Sequence, residues 1–163
     1  PVDGLAVSFA RVSANAVLNR TDGIESEAFL VVLAQSLILS GMAMAVAGNS
    51  RPCSGACHEI SHALDQLYPE RATHGEQTGF GALFASWLRS DDDLAQQIYH
   101  CLHRHGLPTR PSDLGVTDEE FAAVLALAPH TRPERYTVLE HRGVDSSNAL
   151  ALSTDYGRWV AGR

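Results

Sequence analysis

The stretch CSGACHEISHALDQLY, residues 53–68, decides the fold. After the start signal at Ser54 and Gly55, apolar side chains and histidines recur at helical spacing, and Pro69 ends the pattern. Helical spacing returns in five flanking segments, residues 5–16, 28–47, 80–88, 91–105 and 117–127. Only residues 136–139 are rich enough in β-formers to suggest an extended piece. The sequence therefore predicts an all-α fold, a helical bundle forming a single domain over residues 1–163.

The charged residues exclude several classes of function. Twelve basic and nineteen acidic side chains give a net charge of −7, which argues against binding to nucleic acid. All twelve basic residues are arginines, so chemistry that needs a lysine amine, such as a Schiff base or a P-loop, is excluded. Enzymatic work by this chain would fall to histidine, cysteine, carboxylates or a metal.

Cysteine usage and the apolar segments bear on location. The three cysteines, Cys53, Cys57 and Cys101, are too few for a disulfide framework and indicate a reducing compartment. The N-terminus does not show the basic and apolar regions of a signal peptide. Residues 28–47 are long enough to span a membrane, but they are rich in Ala and Gly and lack an aromatic belt, which favours a buried core helix. We expect a cytoplasmic protein without membrane contact.

Three of the eight histidines surround one predicted helix-loop-helix. His58 and His62 are four residues apart, so both rings leave one helix face, where they can chelate a divalent metal or place a proton donor beside a ligand. His74 begins the next helix, and the turn before it can bring it back toward the other two. Each ring alone could simply cap a carbonyl, but the three together favour a site.

Cys53 and Cys57 offer a second ligand set, because together with His58 and His62 they place four zinc donors within ten residues. Structural zinc sites usually draw on two separated pairs, and Cys57 points to a different side of the helix from His58. We therefore interpret both cysteines as buried thiols.

Two groups of arginines are candidates for contact with an anion. Arg51 precedes a helix start whose free N–H groups lie around Ser54, an arrangement that can hold a phosphate without lysine. A surface arginine is an equal alternative there. Arg132, Glu134 and Arg135 form either an internal ion-pair group or a substrate edge, and we favour the ion-pair group.

Several runs carry a resemblance to a known family: SGMAM at residues 40–44, GNSRPCSGACHEISHALD at 48–65, HGEQ at 74–77 and HTRPERYT at 130–137. They resemble the glycerol-1-phosphate dehydrogenase family over residues 5–143. That family is part of the iron-containing alcohol dehydrogenase and dehydroquinate synthase-like superfamily. Its members combine an N-terminal nucleotide-binding α/β domain with a C-terminal helical domain, and this chain looks like the helical domain alone.

The resemblance implies a metal-dependent site. In the superfamily one aspartate and two histidines hold the metal, and the two histidines match His58 and His74. His62 matches a histidine near the reacting centre and is implied as catalytic. Zinc, or Fe²⁺ or Ni²⁺, would bind the substrate hydroxyl and lower its pKa, so that hydride leaves to a nicotinamide. The chain departs from the family pattern at Cys53, where Ala is usual, and at Cys57, where Glu is usual.

Two parts of that machinery lie outside this sequence. The resemblance places the aspartate ligand upstream of Pro1, and no Gly-x-Gly-x-x-Gly turn occurs for a dinucleotide. NAD(P) is therefore expected only with a nucleotide-binding domain, and the isolated chain is expected to be inactive as a dehydrogenase. The implied substrate is a small phosphorylated polyol, its phosphate held by Arg51 and Ser54. The alternatives are a stand-alone helical binding module or partner subunit without redox activity, or a non-redox metal-dependent enzyme acting on a sugar phosphate.

The face that bears the three histidines is expected to be uncovered when the nucleotide-binding domain is missing. We therefore expect either self-association or cover from residues 1–5 or 156–163. A carboxylate near such a segment, Asp3 or Asp155, is a candidate third metal ligand.

Overall fold

The computed structural model describes residues 3–163, and within that range the chain forms helices joined by turns, with no strand. It has two short 3₁₀ helices and eight α-helices: α1 (Gly4–Leu18), α2 (Glu27–Ala47), α3 (Ala56–Leu67), α4 (His74–Leu88), α5 (Asp92–Arg104), α6 (Asp118–Thr131), α7 (Val138–His141) and α8 (Ala149–Ala161). The predicted all-α class is confirmed.

The chain divides into two compact units, Pro1–Gly55 and Ala56–Arg163. The first contains the hairpin of α1 and α2, followed by the 3₁₀ helix Arg51–Cys53. The second contains α3 to α8, with the 3₁₀ helix Pro111–Leu114. All three predicted site histidines therefore belong to the second unit.

Helix α2 is apolar on all sides but mostly exposed. Phe29, Ser36 and Ala43 are buried, whereas Leu37 and Ile38 are 64% and 67% exposed. The helix is long and apolar enough to cross a membrane by length and composition, a property that core helices and signal sequences share. The predicted burial of this helix is wrong for the hairpin, because α1 is its α-helical partner in that unit and one partner covers one face.

The core of the second unit is built on an aromatic cluster. Phe80 and Phe84 of α4, Phe121 of α6 and Tyr156 of α8 are fully buried. Their rings meet edge to face with centres 5.1 to 5.8 Å apart. The Tyr156 hydroxyl donates to the Thr109 carbonyl at 2.8 Å, so this buried polar atom is satisfied. Because α8 is a core helix, the expectation that residues 156–163 cover the histidines is wrong.

The two carboxylates suggested as substitute metal ligands have other partners. Asp3 caps α1 by accepting from the N–H groups of Leu5 and Ala6 at 2.9 and 3.0 Å. Asp155 pairs with Arg158 at 2.9 Å on the exposed side of α8. Neither is part of a cluster of three or more metal-binding side chains among residues 3–163, so this suggestion is also wrong. Residues 1–2 lie outside the described range.

Helices α3 and α4 run antiparallel and approach each other closely at Gly81. A Cβ atom on Gly81 would lie 2.8 Å from the Cys57 carbonyl oxygen and 2.9 Å from the Cys57 Cα. Real Cβ atoms essentially never make such short contacts, so glycine is required for this approach. The approach lays His74, at the start of α4, alongside Ser61 of α3.

Local capping signals explain where several helices begin. Asp91 caps α5 by accepting from the Leu94 N–H at 3.3 Å, as its acidic start predicts. The predicted capping box at Thr117 opens α6. The extended piece predicted at residues 136–139 is wrong, because α7 begins there. The Thr137 N–H donates to Glu140 Oε2 at 2.6 Å, and this second capping box outweighs the β-propensity of the segment.

Replacing Gly81 with alanine is expected to lower the free energy of unfolding by about 1–3 kcal/mol, because the added methyl group must displace the Cys57 backbone. The control is Gly157→Ala in α8, where nothing lies within 4 Å of the added Cβ. There a gain of about 0.5–1 kcal/mol is expected. Urea unfolding followed by circular dichroism measures both. Unchanged stability of Gly81→Ala would show that the two helices do not approach this closely.

Candidate functional site

His58 of α3 and His74 of α4 form a ring pair. Their ring centres are 5.2 Å apart and the rings are inclined at 65°. Two imidazoles bound to one tetrahedral zinc at about 2.0–2.1 Å have ring centres about 5 Å apart. The spacing of the pair therefore fits a shared divalent cation.

The His58 imidazole is neutral around pH 7. Burial, followed by the charges of the nearby His74, His62, Arg132 and Arg135, lowers its pKa to about 4. Its Nδ1 contacts the Cys57 Sγ at 3.2 Å. A neutral ring keeps a lone pair for a metal, which a protonated ring lacks.

The described residues bring two candidate metal ligands together at this point. Among residues 3–163, no cluster of three or more His, Cys, Asp or Glu side chains is placed to hold a metal. The four-donor zinc site weighed for Cys53, Cys57, His58 and His62 is therefore not formed. Cys53 and Cys57 are half-buried thiols rather than fully buried ones.

His62 lies one turn along α3 and contacts Arg132 instead of joining the pair. The Arg132 guanidinium donates to His62 Nε2 at 2.8 Å. Burial, and then the charge of Arg132, lower the His62 pKa, which is consistent with a neutral ring that accepts at Nε2. His62 therefore carries its proton on Nδ1. Together with Gln66, Thr131 and Glu134, the two residues line a cavity of about 350 Å³.

The predicted ion-pair group after α6 forms only in part. Arg135 pairs with Glu134 at 3.7 Å, whereas Arg132 turns to His62. Arg132 is thus a hydrogen-bond partner of His62 rather than a member of the ion-pair group.

Residues 131–137 are tied to α3 through a buried carboxyl group that the sequence did not point to. The Thr137 hydroxyl lies 2.9 Å from Glu59 Oε2 and 2.9 Å from Glu140 Oε2. Glu59 is fully buried, and burial raises its pKa to about 7. The Thr131 hydroxyl also lies 3.4 Å from the Glu59 carbonyl. These contacts hold the segment that carries Arg132 against α3.

Arg51 and Ser54, the predicted phosphate contacts, belong to the first unit. Arg51 begins its 3₁₀ helix, and Ser54 is buried just after it. Arg51 lines a cavity of about 260 Å³ together with Asp3 and Asn49. Their role toward phosphate stays a prediction.

Further residues around His74 were missed by the sequence reasoning. Ser61 contacts His74 Nδ1 at 3.0 Å, and Gln77 contacts Ser61 at 2.6 Å. Both are buried and polar. The signal available in the sequence was their spacing: Gln77 lies three residues after His74 and shares its helix face.

Comparisons with known proteins agree with the resemblance seen in the sequence. The chain is 38% identical over 156 residues to the glycerol-1-phosphate dehydrogenase [NAD(P)+] of Methanosphaerula palustris, covering 93% of this chain and 42% of the relative. It is 40% identical over 152 residues to the enzyme of that name from Methanosarcina mazei, covering 91% and 40%. With that of Methanobrevibacter smithii it is 39% identical over 155 residues, covering 91% and 43%. No family model matches the chain.

The chain spans about two-fifths of the length of the curated relatives it matches. The resemblance to glycerol-1-phosphate dehydrogenases is therefore confirmed over nearly the whole chain and for one part of those enzymes. An all-helical match of this extent is consistent with their C-terminal helical domain alone.

Replacing Arg132 with alanine is expected to raise the pKa of His62, because a nearby positive charge and part of the burial are removed together. Arg132→Lys keeps the charge and is expected to keep most of the depression. The measurement is a titration of the His62 ring signals by NMR. Arg142→Ala, which removes an exposed arginine, serves as the charge control and is expected to leave His62 unchanged. An unchanged His62 pKa in Arg132→Ala would contradict the contact.

Proposed function

We propose that this chain is the metal- and substrate-binding part of an NAD(P)-dependent oxidoreductase of the glycerol-1-phosphate dehydrogenase type, acting on a small phosphorylated polyol in the cytoplasm. The observation that carries the proposal is the pairing of His58 and His74 at a spacing suited to one divalent cation. The relatives' names supply the reaction class and the cofactor.

His58 and His74 are the proposed ligands of zinc, or of Fe²⁺ or Ni²⁺. The metal would supply Lewis-acid chemistry, lowering the pKa of a substrate hydroxyl bound to it. The fit rests on ring spacing and on the neutral state of His58. A third ligand is expected from an aspartate outside the described residues, as the resemblance implies.

His62 is the residue we assign to proton transfer. Its Nε2 accepts from Arg132, so its proton is on Nδ1, which can donate a hydrogen bond to a substrate oxygen. Arg132 holds the ring in one orientation and helps to keep it neutral. Nε2 can take up a proton as a general base once Arg132 releases it. Glu59 and Thr137 support this arrangement by holding the segment that carries Arg132.

Arg51 and Ser54 are the proposed contacts of the substrate phosphate. In a chain without lysine, a guanidinium is the remaining fixed positive charge for a phosphate, and it can bind two oxygens at once. A buried serine beside it supplies a hydroxyl donor.

NAD(P) binding is assigned to another domain. This sequence has no glycine-rich dinucleotide turn. The relatives are named for NAD(P)+ and are more than twice as long as the match. The proposal therefore places hydride transfer at a junction between this chain and a nucleotide-binding domain, either continuous with it or in a partner.

Zinc is expected to bind the purified chain weakly, because two imidazoles are fewer than the three protein ligands of a usual catalytic site. His58→Ala and His74→Ala are each expected to lower zinc affinity by about tenfold or more. His100→Ala removes an exposed histidine of α5 and is expected to bind zinc like the original chain. Calorimetry with zinc, supported by metal analysis after dialysis, distinguishes the variants. Equal zinc content in His74→Ala and the original chain would remove His74 from the site.

Residues 1–163 alone are expected to show no reduction of NAD(P)+ by glycerol 1-phosphate, even with zinc present. Hydride transfer requires a cofactor held in contact with the substrate carbon. NADH and NADPH absorbance provides the measurement, and His58→Ala serves as the background control. Turnover by the chain alone that His58→Ala abolishes would contradict the assignment of NAD(P) to another domain.

A further inference from the structure

A line of hydrogen bonds runs from His74 through α3 and α4 to a carboxylate. His74 Nδ1 lies 3.0 Å from the Ser61 hydroxyl, and that hydroxyl donates to Gln77 Oε1 at 2.6 Å. Gln77 Nε2 then donates to Asp65 Oδ1 at 2.8 Å and to the Ala72 carbonyl at 3.2 Å. Ser61 and Gln77 are 0% and 1% exposed, so water does not supply alternative partners.

The direction of every bond follows from the end that meets Asp65. A carboxylate and a carbonyl only accept hydrogen bonds, so the Gln77 end that faces Asp65 and Ala72 must be the amide nitrogen. Its oxygen then faces Ser61, and the single hydroxyl proton of Ser61 is used on that oxygen. What remains toward His74 is a lone pair of the Ser61 oxygen. His74 must therefore donate, and its Nδ1 carries a proton.

We infer that Ser61 and Gln77 are positioning residues that fix His74 in the Nδ1–H tautomer and thereby leave its Nε2 lone pair free as the ligand atom. A neutral histidine side chain in water prefers the opposite tautomer, with the proton on Nε2, which would block Nε2 as a ligand. The buried hydrogen bonds of Ser61 and Gln77 reverse that preference whether or not a metal is bound. Because the ring already has the tautomer and orientation that a cation requires, the free-energy cost of reorienting it on binding is smaller.

The tautomer assignment is independent of the proposed function, whereas its use toward a metal rests on that function. A purely structural role for Ser61 would hold α3 against α4 equally well. Such a role predicts a loss of stability on substitution but no particular position for the His74 proton. The position of that proton is therefore the decisive observable.

The first experiment locates the proton in the full chain of 163 residues labelled with ¹⁵N-histidine. Long-range ¹⁵N–¹H NMR spectra are recorded at alkaline pH, where the ring is neutral, and the His74 signals are assigned by comparison with His74→Ala. The expected result is an Nδ1–H ring at His74. An Nε2–H ring in the unsubstituted chain overturns the inference, whether or not the chain binds zinc.

The second experiment uses matched serine variants to test whether the Ser61 hydroxyl sets the tautomer of His74. Ser61→Ala removes the acceptor and is expected to shift His74 toward Nε2–H, while Ser61→Thr keeps a hydroxyl and is expected to retain Nδ1–H. The control is Ser153→Ala, which removes a fully buried hydroxyl bonded to Asp118 at 3.2 Å on other helices. It is expected to leave the His74 tautomer unchanged. An unchanged tautomer in a folded Ser61→Ala overturns the role of Ser61.

Zinc affinity separates the inference from the proposed function. If the unsubstituted chain binds zinc, Ser61→Ala is expected to weaken binding by about 10–100-fold with both ligands still present, and Ser153→Ala is expected to leave it unchanged. Equal zinc affinity in Ser61→Ala and the original chain overturns the positioning role. If zinc does not bind at all, the proposed function fails. The tautomer spectra then still show whether Ser61 and Gln77 fix His74 in the Nδ1–H form. Should Ser61→Ala unfold, the spectra of the original chain and of Ser61→Thr remain decisive.

Discussion

The close approach of α3 and α4 at Gly81 is the constraint on which the candidate site depends. One turn from that point, the Ser61 hydroxyl reaches both His74 and Gln77 across the two helices. Hydrogen bonds of 2.6 and 3.0 Å tolerate little additional separation. The absence of a side chain at one position of α4 therefore sets the geometry of polar groups on both helices. It also places His58, next to Cys57 on α3, within ring contact of His74.

Burial acts on two neighbouring residues of α3 in opposite directions. It is the largest cause that lowers the pKa of His58, to about 4, and the largest cause that raises the pKa of Glu59, to about 7, because loss of water disfavours the charged form of each. Arg132 and Arg135 strengthen the effect at His58 and oppose it at Glu59. The helix thus enters the core with a neutral imidazole on one side and, on the other, a carboxyl group able to keep its proton up to neutral pH.

Features that act within a few residues could be predicted from the sequence, and long-range ones could not. The caps at Asp91 and Thr117 and the helical periodicity are local, so the all-α class followed. His62 meets Arg132 70 residues later and Glu59 meets Thr137 78 residues later, and no local pattern encodes such separations. Charge rules favoured an ion-pair group for Arg132, yet its partner is an uncharged ring. The burial of α2 was also beyond the sequence, because a helix that is apolar all round does not indicate which side is covered.

Tyr156 of α8 completes the aromatic cluster, and it is synthesised after the three phenylalanines that it contacts or neighbours. Phe80, Phe84 and Phe121 leave the ribosome before α8, so the nascent chain carries an open apolar wall until Tyr156 arrives. The aromatic core of the second unit therefore cannot be completed before α8 has been synthesised. A protease that cuts before α8 would remove one wall of the core rather than fray an end.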